Sequence, residues 1–64
     1  MKYTNSQIEH LIDECIHVSW QREACKMKLI DGLTYEQIAE IFNYSTQYTK
    51  EVISKHKKML KNFL

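Results

Sequence analysis

The sequence predicts an all-α fold: a compact four-helix domain with a C-terminal helix-turn-helix and a long last helix. Three observations carry this expectation. Proline is absent and glycine occurs once in 64 residues, so the chain lacks the turn residues that a β-rich fold requires. Apolar residues recur at helical spacing in four segments, and strict apolar–polar alternation is sustained nowhere. Capping residues and left-handed stop residues fall between those segments. A hydrophobic content of 44% and a charged content of 27% belong to an ordinary folded domain rather than a disordered tail. A chain this short buries only about 60% of its unfolded surface, which leaves room for one domain, 1–64, but not for a cofactor fold or a deep substrate cavity. No cofactor is expected.

Each helix has its own signals. The first is expected over about 6–17: Ser6 with Glu9 has the form of a capping box, and Ile8, Leu11, Ile12 and Cys15 share one stripe. The pattern resets near Val18-Ser19, where Ser19 is the N-cap candidate for a second helix over about 20–31. Ala24, Cys25, Met27 and Leu29 form its inner side. Asp31-Gly32 then stops it, because glycine enters the left-handed region without a Cβ clash. Thr34 with Gln37 repeats the capping-box form and opens a third helix over 35–42, with Ile38, Ala39 and Phe42 inward. Asn43 is suited to closing it in the left-handed conformation. Ser45 caps the fourth helix, 46–62, which contains no breaker.

Several chemistries are disfavoured. Cys15 and Cys25 form no CxxC pair, so zinc-finger spacing is excluded; both fit as small buried hydrophobes in a reduced cytosol, with a disulfide as the alternative. No run approaches the ~18 apolar residues of a membrane span, and no signal-peptide pattern opens the chain. His10, Glu14 and His17 share a face of the first helix at i, i+4, i+7. That face is opposite the apolar stripe, and an exposed face lacks the support a metal or acid–base site needs. No metal site is expected. With neither a nucleophile–base pair nor a phosphate loop, the sequence makes no case for an enzyme. His56, in the apolar stripe of the fourth helix, is expected to be a core histidine with a satisfied ring nitrogen, and Trp20 a lid on the core.

The junction between the third and fourth helices carries the functional reading. A turn as short as Asn43-Tyr44-Ser45 is the signature of a helix-turn-helix, although an ordinary αα-hairpin also accommodates it. Ala39 is small where the helices must approach closely, and Ile38, Phe42, Tyr44, Thr49 and Val52 are expected to form the shared core, with Thr49 its polar member. The stretch from Arg22 to Leu60 resembles the promoter-binding fourth region of bacterial sigma factors. It is also similar to small stand-alone proteins of that type from phages and prophages of Gram-positive bacteria. Arg22-Glu23, Asp31-Gly32-Leu33-Thr34-Tyr35-Glu36, Ile38-Ala39, Ser45, Lys50 and Leu60 carry the match, while Asn43-Tyr44 and Tyr48-Thr49 depart from it. Other sigma-factor regions have no counterpart in these 64 residues, so the resemblance implies a DNA-binding domain rather than a working sigma factor.

Charge distribution points the same way. The net charge is +1, but residues 1–44 carry a balance of −3 and residues 45–64 a balance of +4, a division suited to one surface meeting a polyanion. On the fourth helix, Thr49, Val52, Ile53, His56, Leu60, Phe63 and Leu64 fall on one stripe, and Gln47, Lys50, Glu51, Ser54, Lys57, Lys58 and Lys61 on the opposite face. Only the first turns of a helix reach base edges in the major groove. Thr46, Gln47, Lys50, Glu51 and Ser54 are therefore the base-contact candidates. Gln47 matches adenine, Lys50 guanine and Glu51 cytosine, unless Glu51 pairs with Lys55 along the helix. Arg22, Lys28, Tyr35, Ser45, Lys55, Lys57 and Lys58 are candidates for the DNA backbone, with Lys26 a further one on the second helix. Leu60, Phe63 and Leu64 either fold back on the domain or form a homodimer interface. The expected function is sequence-specific DNA-binding transcription regulation through the fourth helix in the major groove. The alternative is a protein-interaction module that binds RNA polymerase or inhibits another host protein, with Tyr44 and Tyr48 as its exposed aromatics.

Overall fold

Four helices account for most of residues 4–62, the part of the chain that the computed structural model describes. They are α1 (Asn5–Cys15), α2 (Ser19–Leu29), α3 (Tyr35–Phe42) and α4 (Thr46–Lys61); every pair except α1 with α3 is in contact, α3 with α4 most closely and α1 with α4 least. The all-α four-helix fold is thus as expected.

The starts of α1 and α2 differ from the sequence expectation. Thr4, not Ser6, caps α1: its hydroxyl accepts from the Gln7 amide at 3.1 Å, and the Gln7 side chain accepts from the Thr4 amide at 2.9 Å. Thr4-x-x-Gln7 satisfies two orphan donors reciprocally, as Ser6-x-x-Glu9 would have done one half-turn later. Ser19 is likewise not a cap. Val18 occupies that position with no side-chain hydrogen bond, and the Ser19 hydroxyl instead accepts from Arg22 Nη2 at 3.5 Å.

The ends differ too. α1 stops at Cys15 because Ile16 turns extended and is buried with 1% of its surface exposed. Burying that side chain contributes roughly 1.5–3 kcal/mol, more than another residue of helix would add. α2 stops at Leu29, two residues before the expected end. Gly32, at φ +76°, lets the Leu33 amide return to the Met27 carbonyl at 3.0 Å.

The signals around α3 and α4 agree with the structure. Thr34 and Gln37 form the expected capping box. Asn43 adopts φ 62°, and the Tyr44 amide reaches back to the Ala39 carbonyl at 3.0 Å, closing α3 in a Schellman-type turn. The Ser45 hydroxyl accepts from the Tyr48 amide at 3.2 Å and starts α4. α4 then runs through Ser54 without interruption to Lys61, about 24 Å at 1.5 Å per residue.

The core takes residues from all four helices. Ile12, Ile16, Ala24, Cys25, Ile38, Ile53 and Leu60 form its buried centre, and Ala39 and Thr49 are buried where α3 and α4 meet. Both cysteines are free, and burial pushes the Cys25 thiol up to about 11, so it remains a protonated apolar side chain. Tyr44 is the exception to the expected core: it is 44% exposed and stacks on Trp20 instead. No helix among the described residues is long and apolar enough to cross a membrane.

Candidate nucleic-acid interface

The apolar stripe of α4 fixes which side faces out. Thr49, Ile53 and Leu60 are buried, and Val52, His56 and Met59 are half-buried beside them. The opposite arc is left to solvent: Gln47, Lys50, Glu51, Lys55, Lys57, Lys58 and Lys61 are all exposed. This is the orientation expected from the 3.6-residue period.

The five base-contact candidates come together. Thr46, Gln47, Lys50, Glu51 and half-buried Ser54 line one shallow, open depression along the first turns of α4. Gln47 Nε2 donates to Glu51 Oε2 at 3.5 Å. Glu51 therefore pairs along the helix with Gln47, and no ion pair joins it to Lys55 among the described residues. Among those residues Lys50 likewise has no carboxylate within 4.0 Å. Ser45 spends its hydroxyl on the cap, so any anion contact at this end falls to the backbone amides of Thr46 and Gln47.

The backbone-contact candidates divide into groups. Tyr35, Ser54, Lys57, Lys58 and Lys61 line a second groove, between the start of α3 and the latter half of α4. Lys28 joins them from α2, its Nζ 4.5 Å from the centroid of the Tyr35 ring. Three helices thus converge on one cationic edge. Arg22 sits apart at the start of α2, held by Ser19, and Lys55 lies on the other flank of α4. Lys26 is engaged elsewhere: its Nζ is 2.9 Å from Asp13 Oδ1, tying α2 to α1. The hydrogen bond to Lys26 holds the Asp13 carboxyl below its ordinary range, and the same bond raises Lys26.

Other candidates fall away or change role. His10 Nε2 is 3.3 Å from Glu14 Oε1 on an exposed surface, but His17 lies beyond the end of α1 and no longer shares that face. Among the described residues, no group of three or more His, Cys, Asp or Glu is placed to hold a metal. Leu60 is 2% exposed, covered by its own domain, and so offers no surface to a second copy; Phe63 and Leu64 lie outside the described residues. His56 Nε2 lies 2.6 Å from Gln21 Oε1 on α2. An amide oxygen only accepts, so Nε2 carries the proton. Burial, and then Lys55, hold the ring's pKa below its ordinary 6.5.

One assembly escaped sequence reasoning. Trp20 stacks against Phe42, Tyr44 and Tyr48 at centroid distances of 5.7, 4.5 and 5.9 Å, gathering aromatics from α2, α3, the turn and α4. Their spacing along the chain gives no sign of it, since the cluster forms only when α2 packs across the turn. No protein-family model, curated protein or solved structure matches this chain.

Proposed function

We propose that this protein is a sequence-specific DNA-binding transcription regulator that lays the first turns of α4 in the major groove of a duplex. The observation that carries this reading is the outer face of α4. It is a capped, unbroken helix whose groove-reaching end presents Gln47, Lys50 and Glu51, and whose remainder joins Lys28 and Tyr35 in a cationic edge. The resemblance of Arg22 to Leu60 to the fourth region of bacterial sigma factors supports it, and implies a bacterial cytoplasm as the setting. Gln47 reads adenine and Lys50 guanine, while Lys57 and Lys58 hold phosphates and set the register.

Selection from a randomised duplex pool, followed by affinity measurements on the selected site, tests the reading. Gln47→Ala and Lys50→Ala each cost about 1–3 kcal/mol and relax preference at one base position, whereas Lys57→Ala weakens every sequence alike. Absence of binding to any duplex at low salt overturns it.

A further inference from the structure

Of the large hydrophobic side chains left exposed, Tyr44 and Tyr48 are the two built into the aromatic cluster around Trp20. Both are 44% exposed, and their rings meet edge-on at 5.4 Å. The backbone of each is fixed by a hydrogen bond. The left-handed Asn43 and the bond from the Tyr44 amide to Ala39 fix the first, and Ser45 holds the amide of the second. Half-buried Phe42 supports Trp20 from behind. The result is a stiff aromatic ridge beside the groove-reaching end of α4.

Its position follows from helical geometry. At about 100° per residue, Tyr48 and Lys57 stand on opposite flanks of the outward face, with Gln47, Lys50 and Glu51 between them. A helix with its side chains is about 10–12 Å across, and the major groove is about 12 Å wide. A helix that brings Gln47 to the base edges therefore brings both flanks to the groove walls. On the Lys50 side the wall meets the cationic edge of Lys57, Lys61 and Tyr35. On the other side it meets Tyr48.

We propose that Trp20, Tyr44 and Tyr48 form a buttress that presents the Tyr48 hydroxyl to a backbone phosphate on the second wall of the groove. This rests on the DNA-binding reading and adds to it an asymmetry: one strand is gripped by ammonium groups, the other by a neutral donor on an apolar ridge. A phenol hydroxyl donates to phosphate oxygen as well as any side-chain hydroxyl, and its ring covers sugar carbons beside it. Because the contact is uncharged, it releases no counterion.

Trp20 is the only tryptophan, so its emission reports on this ridge directly. The probe is a labelled mixed-sequence duplex of about two helical turns at low salt. Label anisotropy measures binding, and Trp20 emission measures contact at the ridge. For the wild type, emission changes in step with anisotropy. Tyr48→Phe, which keeps the ring and melts like the wild type, binds roughly tenfold more weakly with the same slope of log affinity against log salt. Lys57→Ala, by contrast, reduces that slope by about one. If Tyr48→Phe binds as tightly as the wild type, or Trp20 emission stays constant while anisotropy rises, the buttress is refuted and DNA binding stands. If the wild type shows no anisotropy change with any salt, both readings fall together.

Discussion

Thr49 carries the one buried side-chain polar atom without a hydrogen-bond partner among the described residues. It is fully buried between α3 and α4, at the place where the sequence already marks it as the polar member of an apolar set. A hydroxyl stripped of water and left unpaired costs about 1–3 kcal/mol, and valine has nearly the same shape without it. Thr49→Val is therefore expected to raise stability by about 1 kcal/mol in urea titration, with folding cooperativity unchanged. A loss of stability would show that the hydroxyl finds a partner in solution. His56 makes the opposite kind of demand. Its pKa lies below the ordinary 6.5 in the fold, so the unfolded chain takes up the proton first. The stability that neutral His56 contributes is present above pH 6.5 and is lost as pH falls through the folded value. Asp13, also lowered, acts in a separate window below its ordinary 3.8. Denaturation midpoints should fall between neutral and mildly acidic pH in the wild type and stay flatter in His56→Gln, and parallel curves would remove His56 as the cause.

At the scale of the element, caps decide where helices begin, and two overlapping capping boxes compete at the start of α1. Thr4 and Gln7 form theirs with both bonds in place, while Ser6 lies inside the helix. Thr4→Ala should then cost about 1 kcal/mol in thermal melting, and Ser6→Ala almost nothing. Equal losses, or the reverse order, would return the helix start to Ser6. The contrast with α3 explains what was legible. The expected range 35–42 coincides with Tyr35–Phe42 because Thr34, Gln37 and Asn43 act locally and without rivals. The end of α1 was not legible, because Ile16 leaves the helix to reach a core contributed by other segments. Tyr44, expected in the shared core on one reading and exposed on the other, is exposed: an apolar residue in a tight turn has two surfaces available, and Trp20 offers the outer one.

Across the whole molecule, periodicity alone sorted α4 into a buried and a solvent face, and the five base-contact candidates on its first turns came out side by side. What periodicity does not show is which groups from different helices share an edge. Lys28 meets Tyr35, and Tyr35 shares a groove with Lys57, Lys58 and Lys61, only through the packing of α2, α3 and α4. The net charge of +1 gives no sign that lysines are concentrated along this edge. That concentration has a measurable consequence. Lys57, Lys58 and Lys61 are exposed and, among the described residues, none has a carboxylate within 4.0 Å. Replacing all three by alanine should change folding stability by no more than about 0.5 kcal/mol each. If each lysine neutralises one phosphate, the slope of log affinity against log salt becomes shallower by roughly 0.9 per lysine. Base preference at the Gln47 and Lys50 positions should survive, since those side chains lie nearer the start of the helix and the cationic edge reads no base. A slope unaltered by the triple substitution would move the proposed phosphate contacts to Arg22, Lys55 or the helix amides, and with them the proposed line of a duplex across the domain.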